Sequence, residues 1–506
     1  MRMNQHIRSV SCILAGLLMM STIVLSSCGN ASEQPSGIES NPDAVTTATE
    51  TVVGTDPVMD ALETVKKTAD WGGKDFGILY LNDINGYTEE VEATAMAGEQ
   101  SSSSVMNDAV FERNTLFEEY CHLSFVLIPT GGANFMSALQ SEVQTGTGDF
   151  HLAVQTTAGT ANAATSGLLY NYLDLDIDYD REWWDKGTLD FALDGRVFFM
   201  DGPFNIVDDD VTFVMMFNKG LREEYQVANP YDMVKNGEWT LDVFNSIIMN
   251  LSTDNGDGKW DENDTYGFTA PATVGDTFFY GADLQYIYNS RDMEMPTLAL
   301  TDAKLDRAIE VLRIAREIVQ NNHSSYISEF GSEALPRDIF MDNRSLFYVE
   351  AANYLRPLNA SMEGEYGVVP IPKYDKQQEK HVTWRHSIGS TLSIPTSVAS
   401  HDMDAFADVL EVYTLLSQQY VRPAYYDTLL TVRNVHDVES SQMMDIIFLN
   451  RTYDMAIYFD ALGFNGIFAS SVVGADKFAS RYASVSRAFD RNISTILKKL
   501  NQADAP

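Results

Sequence analysis

Cysteine is nearly absent: the 506-residue chain holds three, Cys12, Cys28 and Cys121. That scarcity excludes a disulfide framework and a zinc site built from cysteine pairs. Basic residues are few, with 34 Lys and Arg facing 72 Asp and Glu for a formal charge of −38. Such a surface repels nucleic acid and anionic lipid headgroups, so neither is an expected partner. Common catalytic signatures are missing too: there is no His-Glu-x-x-His, no Gly-x-Ser-x-Gly and no Gly-x4-Gly-Lys-Ser/Thr. His381 and His386, five apart, are a weak metal spacing. Nothing singles out an acid pair for glycoside hydrolysis among the many carboxylates, and no repeat stands out at periods of 20 to 50 residues.

Only one long apolar run is present, Val10 to Leu25, preceded by Arg2 and Arg8 and followed by Ser26, Ser27 and Cys28. A charged start, an apolar middle and a small-residue exit make a secretory signal over residues 1–27. The run is short for a helix that needs roughly 20 apolar residues to span a bilayer, although an uncleaved anchor or an ordinary cut nearby are the alternatives. The order Leu-Ser-Ser-Cys resembles the bacterial lipobox, which implies that Cys28 is acylated and becomes the first residue of the mature protein. The expected location is therefore outside the cell, anchored by lipid to the outer face of the cell membrane.

Residues 28–70 are rich in Ser, Thr, Glu, Gly and Pro and read as a disordered tether. About 40 such residues have a flexible reach of roughly 35 Å. Folding signals begin after Trp71. "DFGILYL" (75–81), "LSFVLIP" (123–129) and "DFHLAVQT" (149–156) read as strands, and 105–121 places Met106, Val110, Phe117 and Cys121 on one helical face. The pattern restarts near residue 211 with "VTFVMMFNKGL". A helix over 236–252 follows, in which Thr240 is expected to cap and Trp239 to staple onto Phe244. In 304–320, Leu305, Ile309, Leu312, Ala315 and Val319 are expected on the buried face. A strand at 390–395 and a helix at 403–418 complete the reading. Strands alternating with helices in two blocks predict two α/β bodies.

Five separated segments carry a resemblance: "FNKGL", "NPYDMVKNGEWTLDVF", "STDNGDGKWDENDTYGF", "YGVVPIPKYDKQQEKH" and "YYDTLL…DVESSQMMDIIFLNRTYDM". In this order they resemble the large extracellular solute-binding proteins of family 1, the maltose-binding-protein-like lipoprotein subunits of Gram-positive ABC sugar importers. The resemblance implies a two-lobed, periplasmic-binding-protein-like α/β fold of type II with a multi-crossing hinge. Lobe 1 is expected at 71–207 plus 370–420, and lobe 2 at 208–369 plus 421–506. It further implies a monomer that is not an enzyme, with a mono- or oligosaccharide ligand and ABC permease subunits as membrane partners.

A sugar cleft needs flat aromatic faces and planar polar groups near strand ends. Candidates in the first lobe are Asn82, Asp83, Thr130, Gln155 and Thr157. In the second lobe, "FYVEAANYL" matches the place where the family carries cleft residues and nominates Asn353 and Tyr354. Trp384 and Arg385 follow the return crossing and are expected to close over ligand from the first lobe, with Trp384 and Tyr354 on opposite walls. In "TDNGDGKWDEND", Thr253, Asn255, Asp257, Lys259, Asp261 and Asp264 fall at positions 1, 3, 5, 7, 9 and 12 of a calcium-type loop, with Gly258 at the turn. The same stretch also suits a plain Asn-Gly/Asp-Gly surface turn, so the cofactor expectation is none or a structural Ca2+. The leading function is ligand capture for an importer; a surface glycan-degrading lipoprotein, or a sensor or adhesin on the same fold, are the alternatives.

Overall fold

A computed structural model describes residues 56–82 and 104–503, apart from Glu294, 321–322, 330–331, Glu333 and 431–437, together with Met96 and Gly98. The signal segment, Cys28 and Asp83 lie outside the described residues.

The apolar run at β1 (Lys74–Leu81) becomes an inner strand of a five-stranded sheet. It pairs in parallel with β2 (Leu123–Thr130) and with β3 (Leu152–Thr156). A parallel pair needs a crossover, and the Val105–Cys121 helix supplies it between β1 and β2. Ser104 caps that helix through the Asn107 amide, and His122 ends it in the left-handed conformation. Gly77 sits inside β1 because a Cβ there would lie 2.2 Å from the Asp149 carbonyl oxygen. Its amide donates to His151 Nδ1 at 3.1 Å. Burial, and after it His401, lowers the His151 pKa to about 4, which keeps the ring neutral and able to accept. The sheet is completed by β4 (Phe199–Met200) and β13 (Ser390–Ser393), in the order β2-β1-β3-β13-β4.

The second sheet has the order β11-β5-β10-β6-β9. It comprises β5 (Phe213–Asn218), β6 (Tyr266–Ala270), β9 (Ser325–Ile327), β10 (Ser345–Ala351) and β11 (Tyr366–Val369). β5 runs antiparallel to both neighbours, while β6 pairs in parallel with β9 and β10. Two short ribbons, β7 with β8 (Ile287–Tyr288, Thr297–Leu298) and β12 with β14 (Thr383–Trp384, Arg451–Thr452), stand apart. The chain leaves the first sheet after β4, builds the whole second sheet, and returns for β13.

Three expectations are corrected. The tether does not reach residue 70, because Pro57–Val65 is a helix capped by Asp56 that buries Val58 and Leu62 against the Met403–Leu416 helix. The C-terminal stretch does not belong to the second body alone. Its Phe478–Ala503 helix is tied to the second body by Tyr482 donating to the Leu300 carbonyl, and to the first where Arg196 donates to Asn501 Oδ1. In Asp302–Gln320 the buried face is Ala308, Val311, Leu312, Ile314, Ala315 and Ile318, whereas Ile309 is exposed. That helix packs against neighbours on two sides, so its apolar stripe is wider and rotated from the one the spacing selects. No helix among the described residues is long and apolar enough to cross a membrane.

Candidate functional site

Parallel register brings the ends of β1, β2 and β3 to one edge of the first sheet. Leu81 lies opposite Thr130, and the Asn82 amide donates to the Thr130 carbonyl. Asn82 and Thr130 are half-buried there, and Gln155 is buried. The Gln155 Nε2 has no partner, and its Oε1 is close enough to Gly159 that a Cβ there would sit 2.5 Å away. In sheets with parallel strands this carboxyl-end edge is where ligands bind. Thr157, one step further, is turned to structural use: it donates to the Gly389 carbonyl at 2.7 Å and receives Arg385 Nη1 at 2.9 Å.

Arg385 is likewise structural, which corrects its assignment to the ligand. It is fully buried, with Nη2 3.1 Å from Asp201 Oδ2, Nε bonded to Asp208, and Nη2 also donating to the Ser390 carbonyl. Arg451 joins the same cluster through Asp185, Asp208 and Asp209, and Arg356 grips Asp210 with both terminal nitrogens at 2.7 and 3.1 Å. Asp201, Asp208, Asp209, Asp210 and Arg385 lie on segments that link the two sheets, so buried charge holds the crossings. Burial first, then Asp208, pushes the Asp201 pKa well above the carboxylate range, against the pull of Arg385. Burial likewise pushes Asp209 up to about 6, with Arg451 opposing.

Trp384 does not close from the first body. It is buried, stacks on Phe213 at 4.7 Å, and pairs with Thr452 across the β12–β14 ribbon. Phe213 pairs with Ala351 at the end of β10, where Asn353 and Tyr354 follow in a short 3-10 turn, so Trp384 and Tyr354 belong to the same body. Asn353 and Tyr354 are half-buried, and Asn353 Oδ1 has no partner.

The acidic loop closes on its own backbone. Asn255 Oδ1 accepts the Asp257 amide, Asp257 Oδ1 accepts the Lys259 amide, and Asp264 takes the Asn255 and Asp261 amides on its two oxygens. Thr253 is held in a bridge with Thr265. No group of three His, Cys, Asp or Glu side chains able to hold a metal ion comes together among the described residues.

Sequence reasoning missed the cavity that best fits a ligand. The Thr157–Thr165 helix, "TAGTANAAT", starts at the carboxyl end of β3 and carries almost no side-chain volume. Facing it is the segment after β14, fixed to the second body by Phe464 packing on Tyr286 at 5.3 Å and to the crossing by Tyr458 donating to the Arg385 carbonyl. Between them lies a cavity of about 510 Å³, lined in part by Gly159, Asn162, Phe459, Asp460, Asn492 and Lys499. Its size is ordinary for a small-molecule site, and two amides, a carboxylate and an ammonium beside an aromatic ring suit a ligand dense in hydroxyls. The run of small residues was the only sequence signal for it.

No protein-family model and no curated protein matches the sequence. The fold does have counterparts. Mycobacterium tuberculosis UspC matches at a TM-score of 0.54 and 13% identity over 83% of this chain and 100% of that one. The galacto-N-biose/lacto-N-biose I-binding protein of an ABC transporter from Bifidobacterium longum, in complex with lacto-N-biose, matches at 0.51 and 12% identity over 84% and 99%. A cyclo/maltodextrin-binding protein complexed with maltotetraose matches at 0.50 and 10% identity over 85% and 98%. The likeness is one of fold: the chain has the two-lobed α/β architecture of these structures.

Proposed function

We propose that this chain is an exported solute-binding protein that captures a carbohydrate between its two α/β bodies and delivers it to an ABC importer. The cavity of about 510 Å³ between the Thr157–Thr165 helix and the segment around Phe459 carries the reading, because a ligand there meets the first body's helix together with the C-terminal segments that tie that body to the second. Contacts made to both favour a closed arrangement, and closure is then the signal a membrane partner reads. The chemistry is binding, without a catalytic step. Cys28 serves as the acyl acceptor that keeps the protein beside its permease. The acidic loop enters this reading as a turn rather than a metal site.

The test is a thermal-shift screen against mono- and oligosaccharides, followed by small-angle scattering with any stabilising sugar. A ligand at 100 times its Kd stabilises the native state by about 2.7 kcal/mol. A sugar that binds tightly and leaves the scattering unchanged would remove closure from the account. Absence of stabilisation by any sugar would remove the carbohydrate assignment.

A further inference from the structure

A second cavity, of about 490 Å³, lies on the outer side of the second sheet, against edge strand β9 and away from the crossings. Three of its walls are aromatic. Trp260 and Tyr266 have ring centres 5.9 Å apart, Tyr266 and Tyr326 5.6 Å apart, and both pairs are tilted at 55°. Tyr266 is buried at the back of this corner, and the accessible rings are those of Trp260 and Tyr326. His323, which also lines the cavity, lies flat against one face of Trp260 at 4.5 Å. Tyr266 is held rigidly by its hydroxyl, which donates to the Asp261 carbonyl at 2.7 Å. Ser328 lines the cavity with its side chain buried and its Oγ without a partner.

The charge around this corner is mostly of one sign. Glu329 lines the cavity, and Asp261 and Glu262 lie close enough, with Glu329, to raise the Tyr326 pKa after burial has done so. Two guanidiniums lie nearby and both are engaged, Arg344 with the Glu262 and Asp264 carbonyls and with Asp342, and Arg316 with the Ser471 and Gly474 carbonyls and with the Gln320 side chain. Aromatic faces attract cations through their quadrupole, and carboxylates at the rim add to that attraction.

We propose that the Trp260–Tyr266–Tyr326 corner binds a small organic cation, a quaternary or protonated amine, at a site separate from the cavity between the bodies. The Ser328 hydroxyl supplies a hydrogen bond to a polar group on the cation's far end. Binding here does not depend on the carbohydrate reading.

Trp260 offers a direct readout, because it is 36% exposed while the other five tryptophans are at most 6% exposed. The full-length protein is titrated with choline and, in parallel, with 3,3-dimethyl-1-butanol, its neutral isostere. A saturable change in tryptophan emission with choline at millimolar concentration, at least fivefold weaker for the isostere, is the expected result. Glu329→Gln, followed by the same emission, should weaken choline at least threefold. Trp260→Ala, followed by calorimetry, should abolish binding while the far-ultraviolet spectrum stays unchanged. Equal response to choline and its isostere would reduce the corner to an apolar trap, and no saturable response would overturn the site. Co-flotation with phosphatidylcholine vesicles without any response to free choline would also overturn it, since the corner would then read a membrane surface.

Discussion

Replacing Arg385 by methionine separates the ligand role suggested by its position in the sequence from the structural role found for it. Methionine fills part of the side-chain volume, so the main loss is electrostatic. Four polar groups each lose a partner at once: Asp201, Asp208, Thr157 Oγ1 and the Ser390 carbonyl. Removing one partner of a buried ion pair generally costs about 3–5 kcal/mol. Two features place this site near the lower end. Asp201 already has its pKa pushed well up, by burial first, and can take a proton, and Asp208 keeps Arg451 Nη1 at 2.7 Å. The expected loss is therefore about 3 kcal/mol. Unfolding entropy is about 2.1 cal/mol/K per residue, which for roughly 450 folded residues converts that loss into a drop in Tm of about 3 °C. Urea denaturation followed by circular dichroism at pH 7, with calorimetry alongside, measures both. Adding Asp208→Asn should recover part of the loss by removing a stranded charge. A loss below about 1 kcal/mol together with abolished sugar binding would refute the reasoning and return Arg385 to the ligand.

Two further outcomes follow from buried carboxylates and from the acidic loop. Asp276 is pushed up to about 7 by burial, against the Ala469 amide, so its folded pKa lies above the unfolded value and its stabilising effect is complete only below about 4 and lost as pH rises through about 7. Asp454, raised to about 6 by burial, has the same sign. Asp276→Asn, which keeps an oxygen for the Ala469 amide, should raise Tm at pH 8 and flatten the pH 6–8 slope; an unchanged slope in a melting series would contradict this. Calcium or EDTA should leave Tm unmoved, since the Asp264 oxygens already hold loop amides, and a chelator-induced drop of several degrees would restore the metal site. Cys28→Ser should release the protein from salt-washed membranes into the medium, and retention there would contradict lipid anchoring.

Local signals in the sequence located most elements because their apolar spacing is also their burial pattern. The 105–121 helix appears at Val105–Cys121 with all four expected apolar residues buried, and Trp239 lies edge-on to Phe244 at 5.8 Å as the staple requires. Thr240, however, makes no side-chain cap, because its backbone is drawn into a bridge with Lys373 from a distant segment. Sites were less legible for the same reason. Arg385 and Thr157 look like ligand residues in isolation, and only the return of the chain to the first sheet shows that they face each other. Arg113 is similar: a cation in an apolar helical stripe, fully buried because Ser417 and the Tyr413 ring receive it. The cavity between the bodies escaped notice because small residues make it by omission, opposite a segment some 300 positions away.

The interleaving of the two sheets also dictates when the polypeptide can fold during synthesis. β3 lacks its second neighbour until residue 390 has emerged, Asp185 and Asp209 lack their cation until Arg451 follows, and Arg196 finds Asn501 only at the very end. Contacts of such sequence separation form late because closing long loops costs entropy before any contact repays it. A nascent chain of this design stays incompletely folded for nearly its whole length, which fits the export proposed for it.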